Sequence, residues 1–165
     1  MCDVARGIDH DGHLDWTFGG HSDLVTDVAV DADDHVYTSS DDGTIRKLSA
    51  SDGSELWSRD IGARSLAVEV DTDGMVYAGG DDELLHRFDT AGEPQWTREL
   101  DAAIRVVTVD PDGNIYAGMS DNTVRKFDDE GSEVWRFEDH TNHIHEVAAD
   151  PGAQATFPQA WQDAQ

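Results

Sequence analysis

Three histidines near the C-terminus form the densest group of potential metal ligands in the sequence. His140, His143 and His145 could bind zinc through their imidazole nitrogens, and on a strand His143 and His145 would share one face. However, His21 occupies the position equivalent to His140 in an internal repeat, and a repeated histidine is typical of a structural hydrogen bond. We therefore favour a structural role and predict no metal at these histidines.

Pairs of aspartates two residues apart offer a second kind of metal-binding chemistry. In Asp31/Asp33 and Asp71/Asp73, two carboxylates have the spacing with which a loop can share a calcium ion. Neither pair continues to the distal glutamate that completes a longer calcium-binding loop. Aspartate also favours tight turns, because its carboxylate accepts hydrogen bonds from nearby backbone amides. We interpret both pairs as turns and predict no bound ion and no cofactor.

The reactive groupings of common enzyme classes are missing from the sequence. It contains no glycine-rich phosphate loop, no His-Glu metalloprotease motif and no spacing typical of a Ser-His-Asp triad. Cys2 is the only cysteine, which excludes an internal disulfide, and its neighbours give no activated thiol setting. We therefore predict that the protein is not an enzyme.

The strong excess of acidic residues limits the partners that the chain can bind. Of 165 residues, 36 are acidic and 11 are basic, which gives a formal net charge of −25. A field of this sign repels phosphate backbones, so we exclude nucleic acid as a partner. It also destabilises a compact chain unless salt screens the repulsion. The apolar share of 38% argues against disorder and for a folded core.

The composition also indicates the environment. Lys47 and Lys126 are the only lysines, and this scarcity together with many aspartates and small residues resembles the proteins of salt-loving archaea. No stretch is apolar enough to span a bilayer, and the N-terminal residues lack the apolar region of a signal peptide. We expect a cytoplasmic protein without membrane insertion, or a virion component if the chain is virus-encoded.

A repeat of about 40 residues accounts for most of the chain. Its clearest marker is a G-x-x-x-W motif, which occurs four times. Because the tryptophans occupy one position on the last strand of each repeat, we predict that they dock neighbouring repeats onto each other instead of stacking a ligand. The four motifs begin and end at Gly12 and Trp16, Gly53 and Trp57, Gly92 and Trp96, and Gly131 and Trp135.

Each repeat contains four short apolar runs separated by turns rich in aspartate and glycine, which predicts a four-stranded antiparallel sheet without helices. We therefore predict an all-β propeller of about four blades. The first partial blade matches the third and fourth strands of a repeat, and the last matches the first strand, so we expect the two ends to complete one blade and close the ring. The predicted propeller domain spans 1–152, and a tail follows at 153–165. The domain consists of a partial blade at 1–26, full blades at 27–65, 66–103 and 104–143, and a partial blade at 144–152.

These features resemble the repeats of PQQ-type, or quinoprotein-like, β-propellers. The tryptophan-docking motif of that family has the form of Gly53-x-x-x-Trp57 after the strand pair VYTSSDDGTIRKLSA. Phe18-x-x-His21 ahead of the first full repeat is similar to WD40 units. The resemblance implies a propeller fold over nearly the whole chain. It implies no reaction for this chain. Quinoprotein enzymes usually have about twice as many blades as the four predicted here, and they hold calcium and a quinone in the central funnel, so the fold alone does not transfer their chemistry.

We expect a non-enzymatic interaction or structural module of a salt-adapted system, which presents loops on a rigid disc to a protein partner or assembles with itself. Such a module would be a subunit of a larger assembly, for example an exposed component of a virion or a cell surface. Two alternatives remain open. The chain could be a sensor or enzyme that binds a small ligand or calcium, or a half-propeller that dimerises into a ring of about eight blades.

Overall fold

The computed structural model describes residues 3–149 and 155–156 of the chain. The described residues form sixteen short strands, and none of them lies in a helix that could cross a membrane. The strands are β1 (Ala5–Ile8), β2 (Leu14–Phe18), β3 (Val25–Val30), β4 (Val36–Ser40), β5 (Thr44–Leu48), β6 (Glu55–Asp60), β7 (Ser65–Val70), β8 (Val76–Gly80), β9 (Leu84–Phe88), β10 (Pro94–Glu99), β11 (Ile104–Val109), β12 (Ile115–Met119), β13 (Val124–Phe127), β14 (Glu133–Phe137), β15 (Ala148–Ala149) and β16 (Ala155–Thr156).

The strands are arranged in successive antiparallel sheets that follow the order of the chain. The first blade contains β3 to β6, the second β7 to β10 and the third β11 to β14. β1 and β2 form a separate two-stranded sheet, the N-terminal hairpin, and β15 and β16 form another, the C-terminal pair. This is a β-propeller arrangement of about four blades, as the repeats predict.

Aspartates close the turns between the third and fourth strands. In the second blade, Asp89 Oδ1 accepts hydrogen bonds from the backbone amides of Ala91 and Glu93, both at 2.9 Å. Asp128 forms the equivalent bonds in the third blade, and in both turns a glycine follows with positive φ. The turns therefore form through local chemistry, which explains why each strand ends where the sequence predicts a break.

The first strand of each blade carries an irregularity in its pairing. The register shifts between Val25 and Asp27, between Ser65 and Ala67, and at the equivalent place in β11. β3 and β7 therefore begin at Val25 and Ser65, slightly before the predicted unit starts at residues 27 and 66. A bulge breaks the alternation of inward and outward side chains, so the residues before it do not look like part of the strand.

The core lies between successive blades. Three clusters of buried apolar side chains join the first blade to the second, the second to the third, and the third to the segment that leads into β15. Each cluster therefore stabilises the contact of one blade with the next. Their central members are Tyr37, Ile45, Val68 and Ala78 in the first cluster, Tyr77, Leu85, Ile104 and Val107 in the second, and Tyr116, Val124, Ile144 and Val147 in the third.

The first two and the last two described strands lie in separate sheets. β15 and β16 pair in the register of β3 and β4, since Ala149 lies opposite Ala155 as Val30 lies opposite Val36. The C-terminal pair thus supplies the first two strands of a blade, and β16 lies within the predicted tail. Among the described strands, however, the pair shares no sheet with the N-terminal hairpin, so the expected closure is not formed. The rest of the predicted tail, 153–154 and 157–165, lies outside the described residues.

Candidate interaction site

Each tryptophan at a blade junction lies against the glycine of the next motif along the chain. A Cβ placed on Gly53 would lie 2.5 Å from the Trp16 ring, and one on Gly92 would lie 2.8 Å from the Trp57 ring. Both glycines have positive φ, 68° and 76°, which disfavours any side chain there. The motif therefore serves two blades, because it gives a tryptophan to one neighbour and receives one from the other.

Hydrogen bonds fix the orientation of these rings. The indole Nε1 of Trp16 donates to the carbonyl oxygen of Ala50 at 2.8 Å, and that of Trp57 donates to the carbonyl of Thr90 at 3.2 Å. Trp96 makes the third such bond, and Gly131 receives its ring. The ring thus buries apolar area and satisfies its own donor at each junction.

Arginines reinforce two of the three junctions. Arg59 donates to Glu93 Oε1 at 2.9 Å and lies over the Trp57 ring at 5.8 Å. Arg98 plays the same part at the next junction, where its Nε donates to the carbonyl of Gly131 at 3.2 Å. At the first junction, Phe18 takes the equivalent place two residues after the tryptophan.

The series of junctions is incomplete at both ends of the chain. Gly12 has a φ of 85°, like its equivalents, yet no described residue lies within 4 Å of the place a Cβ would take. At the other end, Trp135 packs beside Tyr116, but within the described part of the chain its Nε1 has no hydrogen-bond partner. Among the described residues, one receiving glycine and one tryptophan are therefore left without their counterparts.

Apolar side chains in the N-terminal hairpin and in β3 are exposed although their repeat equivalents are buried. Val28 is 58% exposed, whereas Val68 is 2% and Val107 is 3% exposed. Ile8 is 65% exposed, against 5% for Phe88. The sequence shows that these positions are apolar in each repeat, but it does not show which blade lacks its neighbour. These exposed positions, Ile8, Gly12, Val28 and Val30, are together called the open end below.

The first aspartate of each pair has its oxygens occupied by the protein itself. Asp71 Oδ1 accepts the backbone amides of Asp73 and Met75 at 2.9 Å each, and Oδ2 accepts the hydroxyl of Tyr77 at 3.0 Å. Asp31 and Asp110 make the same bonds in the other blades. Sequence reasoning missed this link to tyrosine, although the constant spacing of six residues was its signal.

The structure does not bring the C-terminal histidines together as ligands. His143 and His145 are exposed, and the ring of His140 lies edge-on to Phe137 at 5.1 Å. Within the described residues, the ligand atoms that do converge belong to Asp9, Asp11 and His13. All three are exposed.

The group around Asp9 is the third-to-fourth-strand turn of the N-terminal hairpin. Asp9 Oδ1 accepts the backbone amides of Asp11 and His13, at 3.0 and 2.8 Å, as Asp89 and Asp128 do in their own blades. The turn therefore explains why these side chains lie together, without any need for a cation.

His21 lies buried in a hydrogen-bonded network at the first junction. Its Nδ1 is 3.1 Å from Asp42 Oδ2, and its Nε2 is 2.8 Å from Thr38 Oγ1. Burial lowers the pKa of His21 below its ordinary value, although the hydrogen bond to Asp42 opposes the shift. The arrangement has the order of a catalytic triad, but Thr38 is fully buried, so no substrate can reach its hydroxyl.

Arg125 borders a cavity of about 410 Å³ beside the third blade. The guanidinium is 2% exposed and pairs with Asp101 Oδ1 at 2.6 Å and Asp121 Oδ2 at 2.7 Å. Arg136, on the same cavity, pairs with Glu133 at 2.7 Å. Since carboxylates already match both cations, the cavity does not favour an anionic ligand.

Two comparisons with known proteins bear on the identity of this fold. A family model described as outer membrane protein assembly factor BamB, built on PQQ-like repeats, matches residues 3–109 and 68–156. The two matches overlap and together cover nearly all of the described chain. No curated protein matches the chain.

Proposed function

Because the chain belongs to the PQQ-like β-propeller repeat family whose model is described as outer membrane protein assembly factor BamB, we propose that it is a non-enzymatic interaction module. It binds protein through its open end as a subunit of a larger assembly. The observation that carries this proposal is the exposure of Val28 and Val30, at 58% and 56%. Apolar surface at positions that form the core elsewhere in the same fold is typical of an interface.

The assembly works in a salt-rich cytoplasm, or in a virion if the chain is virus-encoded. The net charge of −25 supports this part of the proposal, because such a charge opposes both folding and association unless salt screens it. The scarcity of lysine supports it as well.

The proposal is tested with a tagged chain in extracts of its source cells, fractionated by size in molar potassium chloride. We expect the chain to elute in a complex heavier than its own 18.1 kDa, and the double variant Val28→Asp, Val30→Asp to elute as a single chain. Leu56→Asp is the control, because Leu56 is similarly exposed, at 50%, but lies on β6, the outer strand of the first blade. Elution of the unaltered chain as a single copy would refute the proposal.

A further inference from the structure

We propose that a second copy of this chain covers the open end. In this arrangement, which rests on the proposed function and names its partner, Trp135 of one copy packs onto Gly12 of the other. The C-terminal pair of the first copy then joins the N-terminal hairpin of the second in one four-stranded blade. Two copies related in this way close into a single ring with twice the blades of one chain.

The junction chemistry points to this contact. Three junctions in the structure pair a tryptophan with a glycine of positive φ. At the third, a Cβ on Gly131 would lie 2.9 Å from Trp96, which is similar to the distances at the other two. Gly12 has the same backbone conformation, and within the part of the chain that the structure describes nothing lies in front of it and Trp135 has no receiving glycine. One contact between Trp135 and Gly12 would make the series complete.

The strands at the two ends are complementary in register. In the N-terminal hairpin, Gly7 lies opposite Trp16 as Lys47 lies opposite Trp57, which makes β1 and β2 the third and fourth strands of a blade. The C-terminal pair has the register of the first and second strands. Together they supply each strand of one blade once. β1 and β16 each have an edge that pairs with no other described strand, and these two edges are the ones that would pair.

The existing junctions favour a second copy over the chain's own other end. The hairpin is already fixed to the first blade by Trp16, and Ile144 and Val147 are already packed on the third blade. Bringing these two ends together within one chain would change the angle at each tryptophan junction and its apolar cluster. A second copy completes both ends and leaves those junctions unaltered.

The same arrangement accounts for the exposed apolar side chains. Val68 and Val107 are buried because the preceding blade covers the first strand on which they lie. A blade completed by the second copy would cover Val28 and Val30 in the same way. Since each copy carries a net charge of −25, the association should need a high concentration of salt.

The first test is the solution mass of the purified chain by light scattering in molar potassium chloride. We expect twice the 18.1 kDa of one chain, and a shift toward one chain in dilute buffer. Gly12→Ala should weaken the association about tenfold or more, because a methyl group would occupy the place of the Trp135 ring. Gly62→Ala is the matched control, since Gly62 also has positive φ, 83°, with nothing within 4 Å. A single chain in molar salt, or equal effects of the two substitutions, would overturn the proposal.

The second test asks which chain supplies the strand. Ile8→Cys and Ala155→Cys are placed on separate chains of different mass, both with Cys2→Ser, and a short thiol crosslinker is added. Ile8 and Ala155 are the repeat equivalents of Leu48 and Val36, which lie opposite each other in the first blade. We expect a crosslink between the two chains, and none when Leu56→Cys replaces Ala155→Cys, because Leu56 lies on the outer strand of the first blade and not at the end of the chain that carries Trp135 and the C-terminal pair. Crosslinking only within a chain that carries both cysteines would overturn the second-copy proposal, yet it would leave the proposed function standing if the extract still shows a heavier complex.

Discussion

At the scale of single residues, the charge of His21 is determined by where its ring lies. His21 is 3% exposed, and its ring lies between Asp42 and Thr38, which both belong to the first blade. Burial lowers the pKa of this imidazole below the value of 6.5 that the unfolded chain would show. Folding therefore favours the neutral ring, and unfolding at acidic pH takes up a proton.

This predicts a loss of stability that begins as the pH falls below about 6.5 and continues through the folded-state pKa of His21. The slope from one such proton is at most about 1.4 kcal/mol per pH unit. His21→Gln should be less stable at neutral pH but should lose less free energy of unfolding between about pH 6.5 and 5. Denaturant unfolding measured across this range tests the slope. His10→Gln, which removes an imidazole that is 90% exposed, is the control and should change the stability at neutral pH by less than about 0.5 kcal/mol.

At the scale of strands, close packing depends on small residues in the second strand of each blade. A Cβ on Gly79 of β8 would lie 2.6 Å from Ile104 Cδ1 of the next blade, and one on Gly118 of β12 would lie 2.7 Å from Ile144 Cγ2. The isoleucine of each following blade thus fills the space that a side chain would take. The first strand of one blade and the second strand of the blade before it can therefore approach closely.

Gly79→Ala should destabilise the fold by about 1–3 kcal/mol, because the added methyl group must displace Ile104 between two packed sheets. The free energy of unfolding in guanidinium chloride, measured with molar potassium chloride present, gives the effect. Gly19→Ala is the control, since its Cβ would meet only Val4 at 3.7 Å, an ordinary contact distance, and should change stability by less than about 0.5 kcal/mol. Equal effects at the two positions would show that the blades can separate without cost.

At the scale of the whole molecule, the excess of acidic groups should make the fold dependent on salt. Many aspartates are held in turns, but the middle residues of three equivalent turns, Asp33, Asp73 and Asp112, are exposed and add charge without accepting a turn hydrogen bond. We expect the melting temperature to rise with potassium chloride up to molar concentrations.

Replacing Asp33, Asp73 and Asp112 by asparagine removes three negative charges and should reduce that rise. The fold itself should persist, because the first aspartate of each turn keeps its hydrogen bonds. Thermal unfolding at several salt concentrations compares the two chains. A salt dependence that stays the same after the triple substitution would show that the repulsion comes from elsewhere.

Much of the architecture could be predicted because local chemistry determines it. Turns such as Asp89 to Glu93 form through bonds between neighbouring residues, so the four-stranded repeat is visible in the sequence. The bulge after Val25 and the reception of Trp57 by Gly92 depend on contacts between sequence-distant strands, which periodicity does not report. The closure of the ring depends on the angle between blades, a property of the packed junctions and not of any single motif.

The junctions also have a direction, because each blade gives its tryptophan forward and receives one on a glycine from behind. Loss or duplication of one whole repeat would leave each remaining junction between neighbouring blades with its tryptophan and its glycine. The number of blades is thus free to change by whole repeats during evolution, while each junction keeps the residues that form it. Selection would then act on ring size separately from the chemistry that holds neighbouring blades together.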